Sequence, residues 1–457
     1  MDETQRLLIV GAGPCGLACA RELDRLGHRN WRLLEAAGEV GGLARSIRDP
    51  AGFTWDLGGH VVFSHYRAFD ALLEEVMGED VLRHERSSYV RSGDVWVPYP
   101  FQNNLRHLPE PVLRECLDGL ANAPGGDLDG DFASWLTATF GPGITRHFQA
   151  PYNTKVWATE PARMQSRWIG ERVAVIDYAR AAAAVRAGED DLGWGPNHTF
   201  TFPRQGGTGE IYRRMAAPLA DRILLNAEVV GIDPSARALG LGDGARLSYD
   251  ALVSTAPLNR LVASIAGVPP EIADAAAGLV HNTVYMVGVG YRRPLWDDRS
   301  WLYFPDPDVP FYRVTNFAKY AAANVPGGAT DRYSSYMTET ASSTARPVSR
   351  RGLEERVLAG LVRVGLAEPD TAVASVHVEE IPYAYPVPTL GRDAALNRIQ
   401  PWLEAQGILS RGRFGTWRYE IGNMDHAVQM GIEAARRLIR GEPETVLSGP
   451  APLPQPG

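Results

Sequence analysis

Residues 7–17 read Leu-Leu-Ile-Val-Gly-Ala-Gly-Pro-Cys-Gly-Leu, and no other stretch says as much about how the chain folds. Leu7 to Val10 form an unbroken apolar run, the pattern of a parallel strand covered on both faces. Gly11, Gly13 and Gly16 supply a G-x-G-x-x-G turn, and Leu17 to Leu26 carries a helical pattern. A second strand ends at Leu33-Leu34, with Glu35 nineteen residues past Gly16. Each part has a physical task. Gly11 permits the tight turn, Gly13 lets backbone approach a pyrophosphate, and Gly16 lets helix and strand pack closely. The helix start offers free N–H groups to phosphate, and Glu35 can accept from ribose hydroxyls. Alone, such a glycine motif reads as a simple turn. Strand, helix and carboxylate in register favour a dinucleotide.

The next residues choose between NAD and FAD. Glu39 to Ser46 place Gly41, Gly42, Arg45 and Ser46 just after the ribose carboxylate, where backbone and guanidinium can approach the rest of a long dinucleotide. This segment resembles the glycine pair of amine-oxidase-type flavoproteins, and FAD is the expected cofactor. Further on, Gly58-Gly59-His60-Val61-Val62-Phe63-Ser64-His65 puts His60 where a flavin ring would lie. The plainer account of His60 is a hydrogen-bonded core histidine, and His65 reads as a brace for the loop. No second strand-plus-glycine unit exists for a separate NADPH domain, because Gly240 to Gly244 reads as a hairpin turn.

A chain of 457 residues with 45% hydrophobic content fits a large enzyme of two or three domains. The net charge of −8 gives no basic footprint for nucleic acid. No apolar run is long enough to span a membrane, and Met1-Asp2-Glu3-Thr4 does not begin a signal peptide. Three cysteines without metal-ligand spacing fit a reducing cytoplasm, and no metal is expected. Lys155 and Lys319 are the only lysines, so nearly every positive charge is arginine.

The expected fold class is α/β: a Rossmann-like FAD-binding domain with a helical insertion and a mixed or antiparallel β-sheet substrate domain. Residues 1–98, 200–262 and 405–440 are assigned to the discontinuous FAD-binding domain, with Val229 among the cofactor's surroundings. Residues 99–199 are expected to be mainly helical, including Ala133 to Phe140 and Arg172 to Val185, and 263–404 to form the antiparallel-sheet domain. Glu210 to Leu219 reads as a helix and Ile223 to Ile232 as one strand. Asn423, Met424 and Asp425 precede a helix from His426 to Ile439, a natural last return to the cofactor. The proline-rich stretch 441–457 is expected to be disordered.

Beyond these elements, the chain resembles the UDP-galactopyranose mutases, closest to the fungal and protozoan type. The resemblance rests on 56–66 (DLGGHVVFSHY), 97–104 (VPYPFQNN), 151–158 (PYNTKVWA), 170–174 (GERVA), 193–197 (GWGPN), 301–304 (WLYF), 310–313 (PFYR) and 411–426 (RGRFGTWRYEIGNMDH). It implies a cytoplasmic isomerase that interconverts pyranose and furanose forms of a UDP-sugar by attack of reduced-flavin N5 on the anomeric carbon. NADPH or NADH would be the reductant. Arg172 and Arg313 resemble the diphosphate-binding arginines, and planar guanidinium forks suit phosphate oxygens. Tyr303, Tyr385 and Tyr419 resemble phenols donating to the same phosphates. Tyr99, Phe101, Gln102, Asn153 and Trp157 resemble the uridine pocket, with Asn197 and Trp301 also beside substrate. His60 would tune the flavin, Arg413 and Asn423 would lie near flavin or sugar, and Arg86 and Ser88 are linked to reduction. The sugar stays open between galactose and a deoxy, amino or pentose analogue. A flavin amine-oxidase-like oxidoreductase is the alternative.

Overall fold

The fold is that of a computed structural model, which describes residues 4–127, 129–192, 194–195 and 198–448. Its organising layer is a five-stranded, all-parallel sheet in the order Ile408–Ser410, Ala251–Ser254, Leu7–Val10, Trp31–Leu34, Ile223–Leu224. Leu7, Leu8 and Ile9 are fully buried because both faces of this sheet are covered. On one face, the helix Pro14–Arg25 packs against the helix Met424–Arg440. The approach is close: a Cβ on Gly431 would lie 2.1 Å from the Cys15 carbonyl oxygen. The last long helix is therefore locked onto the first.

The second layer is a seven-stranded mixed sheet in the order Val373–Pro386, His281–Tyr291, Ser334–Ser342, Arg313–Asn316, Trp301–Tyr303, Ser88–Ser92, Val95–Pro98. Residues 88–98 thus belong to this sheet and not to the nucleotide fold, since Ser88–Ser92 pairs in parallel with Trp301–Tyr303. Against the sheet packs the helical insertion, in which Glu110–Ala121 and Phe132–Ile144 lie side by side and Ala150–Trp157 follows. One aromatic core joins insertion to sheet, with Phe101, Trp157, Phe132 and Trp135 on one side and Met286, Trp301 and Met337 on the other. Each such side chain contributes roughly 1.5–3 kcal/mol by leaving water. The site lies where insertion, mixed sheet and nucleotide fold meet.

Three further sequence expectations are corrected. The helix foreseen from Arg172 begins only at Tyr178, capped by Asp177, whose side chain accepts from the Arg180 N–H. Arg172 itself ends a single 3₁₀ turn, Gly170–Arg172. The strand foreseen over Ile223 to Ile232 is two, split at Asn226, which takes a left-handed φ of 56°. Ile223–Leu224 extends the parallel sheet, while Val229–Asp233 starts a three-stranded antiparallel one. Residues 441–448, expected to be disordered, are held in place. Glu444 is only 6% exposed and accepts from Arg411 at 2.5 and 2.6 Å and from Arg437 at 2.6 Å. Proline content hid a carboxylate matched to two arginines. Residues 449–457, the rest of that expectation, lie outside the described residues.

Candidate active site

Two cavities meet at the end of the parallel sheet. The first, of 690 Å³, is a groove lined by Gly11, Gly13, Glu35, Gly42, Arg45 and Val229. Its shape follows from glycines at close approaches. A Cβ on Gly16 would lie 1.9 Å from the Gly11 carbonyl oxygen, and one on Gly42 would lie 3.2 Å from the Gly13 Cα. Gly16 and Gly41 line neither cavity; Gly16 permits the packing, and Gly41 donates its N–H to Ala12 O at 2.8 Å. Glu35 accepts from the N–H of Ala12 at 2.7 Å and of Ala37 at 2.9 Å, which holds its carboxylate over the turn. Arg45 pairs with Glu39 at 3.4 Å at the groove's edge. Ser46 is not brought to the groove. Its hydroxyl donates to Asp56 at 2.5 Å and accepts from Gly209 N at 2.8 Å, so it ties three chain segments together.

The second cavity, of 260 Å³, is the more polar of the two and lies against the mixed sheet. Leu43, His60, Arg413, Asn423 and Met424 line both cavities, so His60 stands at their junction. Gly58 and Gly59, which carry His60, and Asp425 line the polar cavity. Arg86, Tyr99, Gln102, Asn153, Trp157, Arg172, Trp301, Tyr303, Arg313, Tyr385 and Tyr419 are brought together on its wall. Phe101 is not; it is fully buried and stacks at 4.9 Å on Phe148, which lines the cavity. Ser88 is buried in its strand outside the cavity lining, and Asn197 lies outside the described residues. Aromatic rings dominate the wall: Tyr99 stacks on Tyr303 at 5.0 Å and Trp157 meets Tyr419 edge-on at 4.8 Å.

Both arginines foreseen for a diphosphate are engaged by protein acceptors. Arg172 donates to Asn423 Oδ1 at 2.7 Å and Glu420 O at 2.9 Å. Arg313 directs its Nε and Nη2 fork at Glu339, at 2.8 and 2.5 Å, which leaves Nη1 without a protein hydrogen bond among the described residues. Glu339 escaped the sequence reading. The only available signal is that it is the one charged residue in the strand Ser334–Ser342. Burial alone would raise its carboxyl, but Arg313, Tyr312 and the Gly59 N–H hold it below the ordinary carboxylate value. Tyr152 and Glu171 were also missed, although both lie inside segments quoted above and line the cavity.

Burial, together with the charges of Arg413 and Arg313, pushes the His60 imidazole down to about 4, so it is neutral near pH 7. Its Nδ1, Asn423 Nδ2, Gln102 Oε1 and Trp301 Nε1 are buried without a protein partner among the described residues. Buried polar atoms of that kind are normally satisfied by a ligand or water. His65 is the opposite case. Its Nδ1 lies 2.6 Å from Asp425 and its Nε2 2.8 Å from Glu171, and these partners raise its pKa to about 9. Asp425 also meets His426 Nδ1 at 3.1 Å. A cationic His65 thus clips the turn bearing Arg172 to the helix start at Met424.

A groove with this glycine cradle, a carboxylate held over the turn and two polar atoms at its inner end without a protein partner among the described residues fits FAD, and the chain belongs to the flavin containing amine oxidoreductase family, whose model matches residues 14–439. Within that fold the chain is similar to a UDP-galactopyranose mutase. The crystal structure of the reduced mutase superimposes with a TM-score of 0.94 at 38% identity, covering 98% of each chain. Putrescine oxidase bound to putrescine shares the fold at a TM-score of 0.64 and 20% identity, covering 95% of this chain and 99% of that one. A candidate flavin-containing monoamine oxidase of Mycobacterium tuberculosis is 25% identical over 64% of this chain, and the match spans 66% of that protein's length. Among the described residues no helix is long and apolar enough to cross a membrane.

Proposed function

We propose that the protein is a flavin-dependent isomerase that interconverts UDP-galactopyranose and UDP-galactofuranose, or a close UDP-sugar analogue. The observation that carries this reading is the chain-long likeness to the mutase, at 38% identity over 98% of both chains. The junction of the cavities supplies the chemistry that such a reaction needs. Breaking the sugar C1–O bond places negative charge on the diphosphate, and the guanidinium groups of Arg172 and Arg313 on one wall can take it up. Tyr303, Tyr385 and Tyr419 offer neutral phenol donors beside them. Gln102, whose Oε1 has no protein partner among the described residues, and the ring of Tyr99 suit a uracil edge and face.

Reduced FAD, when bound in the groove, supplies the nucleophilic centre that traps the anomeric carbon while UDP is held. Gly11 to Gly16 would cradle its pyrophosphate and Glu35 its ribose. The neutral His60 offers Nδ1 for proton movement at the junction, and the aromatic wall keeps water from the exposed sugar cation. NADPH or NADH would reduce the flavin from the polar cavity, because the sequence holds no second dinucleotide unit. Three buried, free cysteines support a cytoplasmic setting.

Four arginines line the polar cavity, Arg86, Arg172, Arg313 and Arg413, a poor wall for a cationic amine and a good one for a diphosphate. In stopped flow, UDP is expected to inhibit flavin bleaching by NADPH competitively. Peroxide released from amines, with no effect of UDP on the flavin, would instead identify an oxidase.

A further inference from the structure

Glu339 is a buried carboxylate with all of its capacity in use. It is 2% exposed and stands directly opposite Arg313 in the antiparallel register of their strands. Oε1 accepts from Arg313 Nε at 2.8 Å and from the Gly59 N–H at 2.9 Å. Oε2 accepts from Arg313 Nη2 at 2.5 Å and from the Tyr312 hydroxyl at 2.6 Å. Two oxygens carry about four lone-pair sites, and these four donors fill them. Gly59 directly precedes His60, whose own N–H closes a tight turn onto Gly58 O at 2.9 Å. That turn rests on the strand below: a Cβ on Gly59 would lie 2.4 Å from Thr315 Oγ1.

One oxygen therefore holds both the guanidinium facing the polar cavity and the turn that presents His60 to both cavities. We propose that Glu339 is a positioning residue that couples anion occupancy at Arg313 to the Gly58–His60 turn beside the flavin site. The proposal rests on the reading that the polar cavity takes a UDP-sugar. An incoming diphosphate at Nη1 draws on the same positive charge that Glu339 neutralises. As the guanidinium shares its charge with phosphate, Oε1 is left more fully to the Gly59 N–H, and the His60 turn tightens. Reciprocity follows: a change at the flavin that moves the turn must alter the hold of Arg313 on the anion by the same factor.

The test is the dissociation constant of UDP for the oxidised and the dithionite-reduced holoenzyme, in wild type and in Glu339→Gln. The amide keeps the shape but carries no charge and presents one acceptor oxygen in place of two. Wild type is expected to show at least about a fivefold difference between the two flavin states, at the lower end of typical coupling. Glu339→Gln is expected to bind UDP in both states with the ratio collapsed toward one. A merely structural role would weaken both constants together and keep their ratio. Equal constants in wild type, or an unchanged ratio in the variant, overturn the proposal. If Glu339→Gln does not fold, Glu339→Asp keeps the charge but withdraws it from Gly59, and an unchanged ratio there overturns it equally. Absence of UDP binding to wild type in either state refutes the nucleotide-sugar reading itself, a distinct result.

Discussion

Arg313 and Arg172 face the same cavity, yet their surroundings predict different consequences of losing them. Arg313→Ala leaves Glu339 as an unpaired, buried carboxylate. Removing one partner of a buried pair costs about 3–5 kcal/mol, so this variant is expected to lose stability in denaturant melts as well as UDP affinity. Arg172 sits on a half-buried turn, and its loss removes a charge-assisted contact worth about 1.5–3 kcal/mol, roughly ten- to a few-hundredfold in kcat/KM. Arg172→Ala, which leaves no buried charge unpaired but loses the bonds to Asn423 and Glu420, is expected to lose less stability than Arg313→Ala and to keep bound FAD. A folded Arg172→Ala with unaltered kcat/KM would remove it from the diphosphate site. His65 sets a pH dependence. Its partners Glu171 and Asp425, with His426 and Tyr66 packed alongside, raise it from an ordinary 6.5 to about 9. Because the folded value is the higher one, its stabilisation is complete below pH 6.5 and is lost as pH rises through about 9. The melting-temperature advantage of wild type over His65→Gln is therefore expected to shrink between pH 6.5 and 9.5. An advantage that grows over that range would contradict the ion-paired His65.

The elements show where a single sequence is legible and where it is not. Leu7–Val10, the helix after it and Glu35 announced themselves because one local unit contains every part of the phosphate turn. The fold class followed from that unit. The strand break at Asn226 has a signal in Asn226-Ala227-Glu228, three residues that strands disfavour, but the apolar residues on either side read as one run until pairing with two different sheets divides it. Arg172 was given a helix by the alanine-rich run behind it, although Asp177 fixes the start at Tyr178. In the site, most residues inside the long quoted segments were legible, Tyr152 and Glu171 excepted, whereas Glu339 depends on a partner 26 residues away across a sheet. Residues 441–448 give the same lesson with a testable result. Glu444→Ala leaves the buried Arg411 with Glu404 as its one carboxylate partner among the described residues, and a loss on the order of 3 kcal/mol in urea unfolding is expected. A variant as stable as wild type would mean that the end of the chain is not part of the fold.

For the whole molecule, two sheets and a helical insertion converge on one junction, where a dinucleotide groove opens into an arginine-walled cavity across His60. The fold alone is shared with oxidases, as the likeness to putrescine oxidase at 20% identity shows. The proposed function rests on the arginine-walled side of the junction, and the account stands or falls on a reaction without net redox change. Purified enzyme incubated anaerobically with UDP-galactofuranose, with and without dithionite, gives the direct answer once the nucleotide sugars are separated by chromatography. UDP-galactopyranose is expected to accumulate over many turnovers only when the flavin is reduced, with the flavin still reduced at the end. Conversion that is absent in the reduced enzyme, or that proceeds equally with oxidised flavin, would contradict it.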